Sequence, residues 1–232
     1  MVYETEVAAM RGVISLMMKN SENKLLVNTD RIYLAKTNLI ALKSLLEERG
    51  PRGIFIAINR PYHYMAHLLR IHKVVYEEML FIDAVTRISG ERRMEWKHTT
   101  FLNGPFQIPK IFNDLELVGR KGDGSTGLIR IIEGDFVLVD DVSAIFHFNK
   151  RGMGKRFLQN FMDAVASNPK AFTSVSVDRE TQRELYEFLA ENCDRMVDMG
   201  NAAFVEVSKG LAGEEDAQVA RALEGKGEIA DE

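Results

Sequence analysis

Apolar side chains recur at two different periods along this chain, and their alternation predicts an α/β fold. In the first segment Val7, Met10 and Ile14 follow one another at spacings of three and four residues, which predicts an amphipathic helix over residues 5–19. Beyond it, short unbroken apolar runs alternate with amphipathic helical patterns. Such runs are typical of strands that are buried on both faces, so we expect a mainly parallel sheet flanked by helices.

The predicted elements follow one another in a regular order. Strands are predicted at 24–28, 53–58, 79–83, 99–102, 136–140, 172–177, 196–199 and 204–207. Helices are predicted at 35–49, 61–72, 105–117, 153–166 and 180–192. The glycine-rich stretch 119–127 is predicted to be a surface loop, and a turn at Gly200 and Asn201 makes the last two strands an antiparallel C-terminal pair.

The element order and the charge pattern together suggest three segments. We expect an N-terminal amphipathic helix in residues 1–23 and one α/β domain in residues 24–208, a size that suits a single core. Residues 209–232 are acidic and rich in small side chains, so we expect a disordered tail there.

Composition and charge limit the classes of protein to which the chain can belong. Hydrophobic residues make up 46% of the 232 residues and charged residues 28%, and no apolar run is long enough to span a membrane. The N-terminus lacks the basic start of a secretory signal and Cys193 has no second cysteine to pair with, so a cytoplasmic location is expected. The net charge of −4 arises in 209–232, and the rest of the chain lacks the positive field that favours nucleic acid.

The stretch from Thr29 to Thr37 stands where a nucleotide-binding α/β protein carries its phosphate loop. It keeps the Lys36-Thr37 ending of the pattern G-x-x-x-x-G-K-[ST], but Asp30 and Ala35 replace the two glycines. Glycine lets such a loop curl until its backbone N–H groups point at an anion, whereas Asp30 would set a carboxylate beside the phosphates. The sequence therefore predicts a degenerate phosphate loop.

Three apolar strands and the residues after them carry a resemblance to a known superfamily. The runs GIFIAINRPY at 53–62, LFIDAVT at 80–86 and FVLVDDVS at 136–143 are similar, in order and spacing, to archaeal RecA-superfamily proteins of the KaiC-like kind. The resemblance extends from about Lys24 to Met199. It implies a RecA-like core, oligomeric assembly and, in intact members, ATP bound at the phosphate loop.

Transferred onto this chain, the family pattern is incomplete. Lys36 would match the phosphate-binding lysine, Thr37 the magnesium-binding hydroxyl, and Asp140 the acid that ends the Walker B strand. Asn59 and Arg60 stand where intact members place the glutamates that activate water. Because phosphoryl transfer depends on loop N–H groups, lysine, metal ion and water-orienting acid together, the resemblance implies a pseudo-ATPase.

Each remnant residue also has a purely structural interpretation. Lys36 and Thr37 would lie in the first turn of a helix capped by Asp30 or Thr29, with the lysine in solvent. Asp140 is placed either to hold a metal ion or to accept hydrogen bonds from a nearby turn, and Asp83, at the end of another strand, fits the second role better.

A cluster of basic residues follows the predicted Walker B strand. It consists of Lys150, Arg151, Lys155 and Arg156. The cluster is a candidate contact for a protein partner or for nucleic acid, and its alternative interpretation is a solvated helix face. Only Phe157 supplies an aromatic ring there, so nucleic acid is not favoured.

Two functional hypotheses follow from these observations. The leading one is a non-catalytic RecA-like regulatory or scaffold protein that needs no cofactor and acts as a homo-oligomer or with a protein partner. The alternative is a nucleotide-binding protein or weak ATPase that uses Lys36, Thr37 and Asp140 with ATP and Mg²⁺. The two differ in whether ATP stabilises the folded chain.

Overall fold

Helices and strands alternate along most of the chain. A computed structural model describes residues 3–89, 98–121, 125–148, 151–168, 170–199 and 205–207. Its helices are α1 (Glu4–Lys19), α2 (Leu34–Glu48), α3 (Tyr62–Ile71), α4 (Thr86–Ser89), α5 (Ile108–Asp114), α6 (Ser143–Phe148), α7 (Arg151–Ser167) and α8 (Arg183–Asn192). Its strands are β1 (Lys24–Asn28), β2 (Ile54–Ala57), β3 (Leu80–Asp83), β4 (Thr99–Phe101), β5 (Glu116–Arg120), β6 (Thr126–Arg130), β7 (Val137–Val139), β8 (Thr173–Val177), β9 (Arg195–Asp198) and β10 (Val205–Val207).

Eight strands of the described ranges form one sheet, in the order β10–β9–β1–β8–β7–β2–β3–β4. Neighbouring strands are parallel except for β9 and β10, which are antiparallel. The central strands β2 and β7 are buried along their whole length because helices cover both faces of the sheet. The predicted fold class, an α/β protein with a mainly parallel sheet, flanking helices and an antiparallel C-terminal pair, is confirmed.

The sheet separates two hydrophobic cores. On one face, α1 and α2 supply buried residues such as Met10 and Leu42. On the other face, α5 and α7 meet through Phe112 and Phe161, whose rings stack with centroids 4.5 Å apart. Such a ring pair contributes about 1 kcal/mol beyond its buried area. The two cores hold the helices against both faces of the sheet and leave the loops at the ends of the strands.

Helix α1 packs onto the α/β domain and shares its core. Arg11 forms ion pairs with Glu47 at 2.9 Å and with Glu48 at 2.7 Å, and the Ser15 hydroxyl donates to Glu48 at 2.5 Å. The hydrogen bonds from Ser15 and Arg11 lower the pKa of Glu48. Residues 4–19 are therefore held along α2 and bring their first turn close to the start of that helix. None of the helices described is both long enough and apolar enough to cross a membrane.

The predicted helix over 105–117 is wrong at both ends. A single 3₁₀ turn at Pro105–Gln107 precedes α5, and α5 ends at Asp114. Leu115 then adopts a φ of 58°, which is incompatible with a continuing α-helix, and β5 begins at the next residue. The apolar residues after Asp114 thus belong to a strand and not to the helix.

The predicted loop over 119–127 is also wrong at both ends, because 119–120 belong to one strand of a hairpin and 126–127 to the other. Strands β5 and β6 pair from Glu116 with Arg130 to Arg120 with Thr126. Gly119 lies where a Cβ atom would come within 2.2 Å of the Thr100 hydroxyl. Its glycine therefore permits close packing against β4, and the sequence pattern could not separate this role from that of a loop glycine.

Two other sequence predictions fall outside the described residues. They concern the turn at Gly200 and Asn201 and the acidic tail at 209–232.

Candidate functional site

A cleft of about 340 Å³ opens where the parallel strands end. We call it the edge cleft. It is lined by Thr29, Arg31, Leu34, Ile58, Asn59, Val85, Ile88, Asp141, Ser143, Ala144, His147, Asp178, Thr181 and Gln182. These residues follow β1, β2, β3, β7 and β8, whose carboxyl ends meet at the same edge of the sheet. Open α/β sheets bind their ligands at this edge, so the edge cleft is the candidate site.

The chain from Thr29 to Thr37 does not form an anion nest. Asp30 accepts a hydrogen bond from the Tyr33 backbone N–H at 2.9 Å through its carbonyl, and Thr37 donates to the Tyr33 carbonyl at 2.9 Å. None of the residues from 29 to 37 has a positive φ. The segment is a turn that leads directly into α2, and its backbone lacks the left-handed residue that folds successive N–H groups around an anion.

The Lys36 side chain is held by the first turns of α1. Its Nζ lies 3.1 Å from Oε1 of Glu6, with 19% and 23% of the two side chains exposed. The same Nζ lies 4.7 Å from the centre of the Tyr3 ring, which adds a cation–π contact. Lys36 does not line the edge cleft. Its charge is therefore already balanced by an acid on a neighbouring helix.

The Thr37 hydroxyl is also engaged inside the protein. Thr37 is 1% exposed, and its Oγ1 lies 2.8 Å from Oγ1 of Thr29, which is 1% exposed as well. Next to it, Asn38 donates to the Asp140 carbonyl at 3.0 Å and accepts from the Ser176 hydroxyl at 2.8 Å. The start of α2 is thus fixed to β7 and β8 by buried polar contacts. In this arrangement the Lys36 ammonium and the Thr37 hydroxyl both have partners within the protein.

Asp140 clamps the turn that follows β2. Its carboxylate accepts from the Ile58 backbone N–H at 2.8 Å and from that of Asn59 at 3.2 Å. The pKa of Asp140 is raised to about 7, first by burial and then by the negative charge of Asp141, while the N–H groups of Ile58, Asn59 and Arg60 oppose the shift. Asp140 does not line the edge cleft. Of its two sequence interpretations, the geometry matches local hydrogen bonding.

The acid that faces the edge cleft is the next residue, Asp141. Its Oδ2 accepts from the Asn59 side-chain amide at 3.0 Å, and its Oδ1 accepts from the Ser143 backbone N–H at 3.0 Å and from the Ser143 hydroxyl. Burial raises the pKa of Asp141, while the hydrogen bonds from Ser143 and the positive charges of Arg31 and His147 lower it. The cleft therefore combines one nearly buried carboxylate with the Arg31 guanidinium and the His147 imidazole on its wall.

Asp83 has the structural role that its position suggested. It is 0% exposed, and its carboxylate accepts from the backbone N–H groups of Tyr62, Val85 and Thr86, each at 2.8 Å. The Thr86 hydroxyl adds a fourth hydrogen bond at 2.7 Å. Asp83 thus joins the start of α3 to the turn before α4, and its carboxylate is fully used.

The basic cluster after β7 is only partly described. Lys155 forms an ion pair with Glu184 on α8, with 32% and 66% of the two side chains exposed. Arg156 is exposed on α7. Lys150 lies outside the described residues, and so does the Arg151 side chain. The contact role predicted for this cluster stays a prediction.

The sequence missed most residues of the edge cleft. Asn59 was considered only as a replacement for a glutamate, and Arg31, Asp141 and His147 were not considered as site residues. One signal was available, because Asp140 and Asp141 are adjacent at a strand end and successive side chains point in opposite directions. Among the residues described, no group of three His, Cys, Asp or Glu side chains could hold a metal ion.

Comparison with known proteins adds a likeness of fold. No protein-family model matches the chain, and no curated protein matches it. A solved structure from Pyrococcus horikoshii is 9% identical, with a TM-score of 0.47, and covers 83% of this chain and 88% of its own. A KaiC-like protein from the same hyperthermophilic archaeon is 12% identical, with a TM-score of 0.49, and covers 77% of this chain and 73% of its own. At 9% and 12% identity these structures do not indicate the roles of individual residues in this chain, which we assign from the contacts described above.

Proposed function

We propose that this chain is a RecA-like pseudo-ATPase, a cytoplasmic regulatory or scaffold protein of the archaeal KaiC-like kind that acts through protein contacts, for example in signal transduction. The observation that carries the proposal is the position of Lys36. Its ammonium group is paired with Glu6 and lies over the Tyr3 ring. A phosphate would have to compete with both contacts for the one lysine that the degenerate loop retains.

Three further features support the absence of hydrolysis. The Thr37 hydroxyl is bonded to that of Thr29, and the Asp140 carboxylate accepts backbone N–H groups. Asn59, at the position of a water-activating acid, donates its amide to Asp141. Phosphoryl transfer needs the cradle, the lysine, the metal-bound hydroxyl and the acid at the same time. Each of these groups is either replaced or committed to a structural contact.

The proposal includes assembly of this chain with further copies of itself or with another protein. It rests on the resemblance to a superfamily whose members assemble. Sedimentation velocity of the full chain over a concentration series checks the first possibility, and a monomer at every concentration would leave only a different protein as partner.

A second candidate function is nucleotide binding or weak ATPase activity at the edge cleft. The observation that favours it is the open space beside Leu34, the first residue of α2, with Arg31 on the same wall. The first N–H groups of a helix have no partner within the helix and favour anions. This candidate needs Arg31 or these N–H groups to take the part that Lys36 plays in an intact loop.

Titration calorimetry with ATP and Mg²⁺, together with a phosphate-release assay, distinguishes the two candidates. The wild-type chain, Lys36→Met and an Asp30→Gly/Ala35→Gly double variant are compared. We expect no phosphate release above the Lys36→Met background and no millimolar or tighter binding by the wild type. Turnover in the wild type that disappears in Lys36→Met would overturn the proposed function. Binding that persists in Lys36→Met but is lost in Arg31→Ala would support the second candidate.

A further inference from the structure

A second cleft, of about 470 Å³, lies where the start of α1 and the end of α3 meet α2. We call it the α1–α3 groove. Its lining consists of Tyr3, Val7, Leu39, Ile40, Lys43, Ile71, His72 and Lys73. It shares none of these residues with the edge cleft. Its volume falls within the roughly 300–1,000 Å³ of small-molecule sites.

The α1–α3 groove combines an apolar floor with a basic rim. The floor is made by Val7, Leu39 and Ile40, each at most 5% exposed, and the side chain of Ile71 stands beside them with 57% exposed. The polar members of the lining are Lys43, His72 and Lys73 besides the Tyr3 hydroxyl, and no carboxylate is among them. At each of four other clefts in the described chain at least one Asp or Glu lines the wall. The combination favours an occupant with an apolar body and a negative end.

The carboxylate of Glu6, the residue before Val7 on α1, is paired with Lys36. Lys43 is half-buried on α2, and Lys73 is exposed at the end of α3. The rim thus places positive charge from α2 and from the turn after α3 around one apolar space. A ligand that brings a negative charge there would gain from both lysines.

Lys73 occupies a backbone position that ordinarily belongs to glycine. Its φ is 55°, and it follows His72, the C-cap of α3. Glycine is the preferred residue at this position because a side chain in the left-handed region is strained. The lysine is therefore present despite a local preference for glycine. The Val74 N–H donates to the Leu69 carbonyl at 2.9 Å, and this hydrogen bond holds the turn that carries the Lys73 side chain.

We propose that the α1–α3 groove binds a free single-chain amphiphile with an anionic head group, such as a long-chain carboxylate. The hydrocarbon chain lies on Val7, Leu39 and Ile40, and the carboxylate is neutralised by Lys43 and Lys73. This inference goes beyond the proposed function, because it involves neither Lys36 nor the edge cleft.

The test is titration calorimetry of the full chain with dodecanoate below its micelle concentration. Lys43→Ala and Lys73→Gly are each expected to weaken binding about two- to fivefold, the usual loss for one partly exposed charge pair. Lys170→Ala, which removes an exposed lysine elsewhere, is the matched control and should leave the affinity unchanged. Leu39→Asp should abolish binding by placing a charge on the apolar floor.

Lys73→Gly also separates ligand binding from folding. Glycine relieves the left-handed backbone, so the melting temperature of the free variant should rise by a few degrees while its affinity for dodecanoate falls. Dodecyltrimethylammonium, with the same chain and a cationic head, should bind at least tenfold more weakly than dodecanoate.

Three results would overturn the proposal. They are equal affinity for the anionic and cationic amphiphiles, affinity unchanged in both lysine variants, and binding only to vesicles of anionic phospholipid with none to free dodecanoate. The last result would mean that the basic rim binds a membrane surface and that the groove holds no free amphiphile. An acidic amphipathic peptide that binds the wild type while dodecanoate does not would also contradict it.

Discussion

The loop before α2 and the strand end after β7 lie at the same edge of the sheet, and they use their charged residues differently. Where this loop enters α2, the side chain of Lys36 pairs with Glu6 on α1 and does not line the edge cleft. After β7, two adjacent acids have different roles: Asp140 accepts a hydrogen bond from the turn after β2, and Asp141 faces the edge cleft. A motif position thus fixes where a residue lies along the edge, while the contacts of neighbouring elements decide where its side chain goes.

Lys36 and Asp140 also differ in how their charge is reduced. The lysine of the loop is neutralised by an ion pair, whereas burial raises the pKa of Asp140 to about 7. Neither group then offers a full charge to a ligand near neutral pH. The charged side chains that line the edge cleft include Arg31 and Asp141, neither of which the sequence marked as a site residue.

The largest expected loss of stability follows from removing Asp140, and it should exceed the loss from removing Asp141. Asp140→Ala leaves the buried N–H groups of Ile58 and Asn59 without an acceptor, so the free energy of unfolding should fall by about 3 kcal/mol. Asp141→Ala removes bonds to Ser143 and Asn59 at the wall of the cleft and should cost about 1 kcal/mol. Urea denaturation measures both. Equal losses would remove the distinction between a clamping and a cleft-facing acid.

The pH dependence of stability sharpens the same distinction. Burial raises the pKa of Asp140 from its ordinary 3.8 to about 7, so its protonated form contributes stability that is fully present below about pH 4 and is lost as pH rises through about 7. We expect the free energy of unfolding to fall by about 2 kcal/mol between pH 5 and pH 8 through this group.

Asp140→Asn is the matching variant, because its amide does not titrate. Its free energy of unfolding should change less over that pH interval than that of the wild type. A smaller fall remains from Asp141, whose pKa burial also raises. Identical pH profiles for the wild type and Asp140→Asn would show that Asp140 does not titrate in this range.

A double-mutant cycle measures how firmly α1 holds the loop lysine. Lys36→Met and Glu6→Gln should show a coupling energy of about 1 kcal/mol, because both side chains are largely buried. The control cycle is Lys155→Met with Glu184→Gln, a more exposed pair whose coupling should be only a few tenths of a kcal/mol. Coupling no larger in the first cycle would mean that Lys36 is free to leave Glu6.

The smallest effect concerns the Thr37 hydroxyl. Thr37→Val keeps the side-chain volume and removes the hydrogen bond to Thr29, whose hydroxyl retains the Asp30 carbonyl at 3.3 Å. The expected loss is about 0.5–1 kcal/mol in urea denaturation. Thr126→Val, at an exposed strand position, is the control and should change stability little. No loss in Thr37→Val would leave its hydroxyl available for another role.

The sequence predicted the sheet because its central strands β2 and β7 are unbroken apolar runs. It also placed Asp140 and Asp83 correctly at strand ends. It could not predict the partner of Lys36, since Glu6 reaches it only when α1 packs along α2, with the starts of the two helices side by side. The β5–β6 hairpin was missed for a related reason, because Gly119 is needed for packing against Thr100 and local pattern shows only a glycine.

The most direct test of the central claim is the melting temperature of the full chain with and without ATP and Mg²⁺, repeated on Lys36→Met and Glu6→Gln. A nucleotide that binds only the folded chain at 100 times its dissociation constant would add about 2.7 kcal/mol and raise the melting temperature by several degrees. We predict no shift in the wild type or in Lys36→Met. A shift of several degrees in the wild type that is lost in Lys36→Met would show that the remnant loop still binds nucleotide, and would contradict the account.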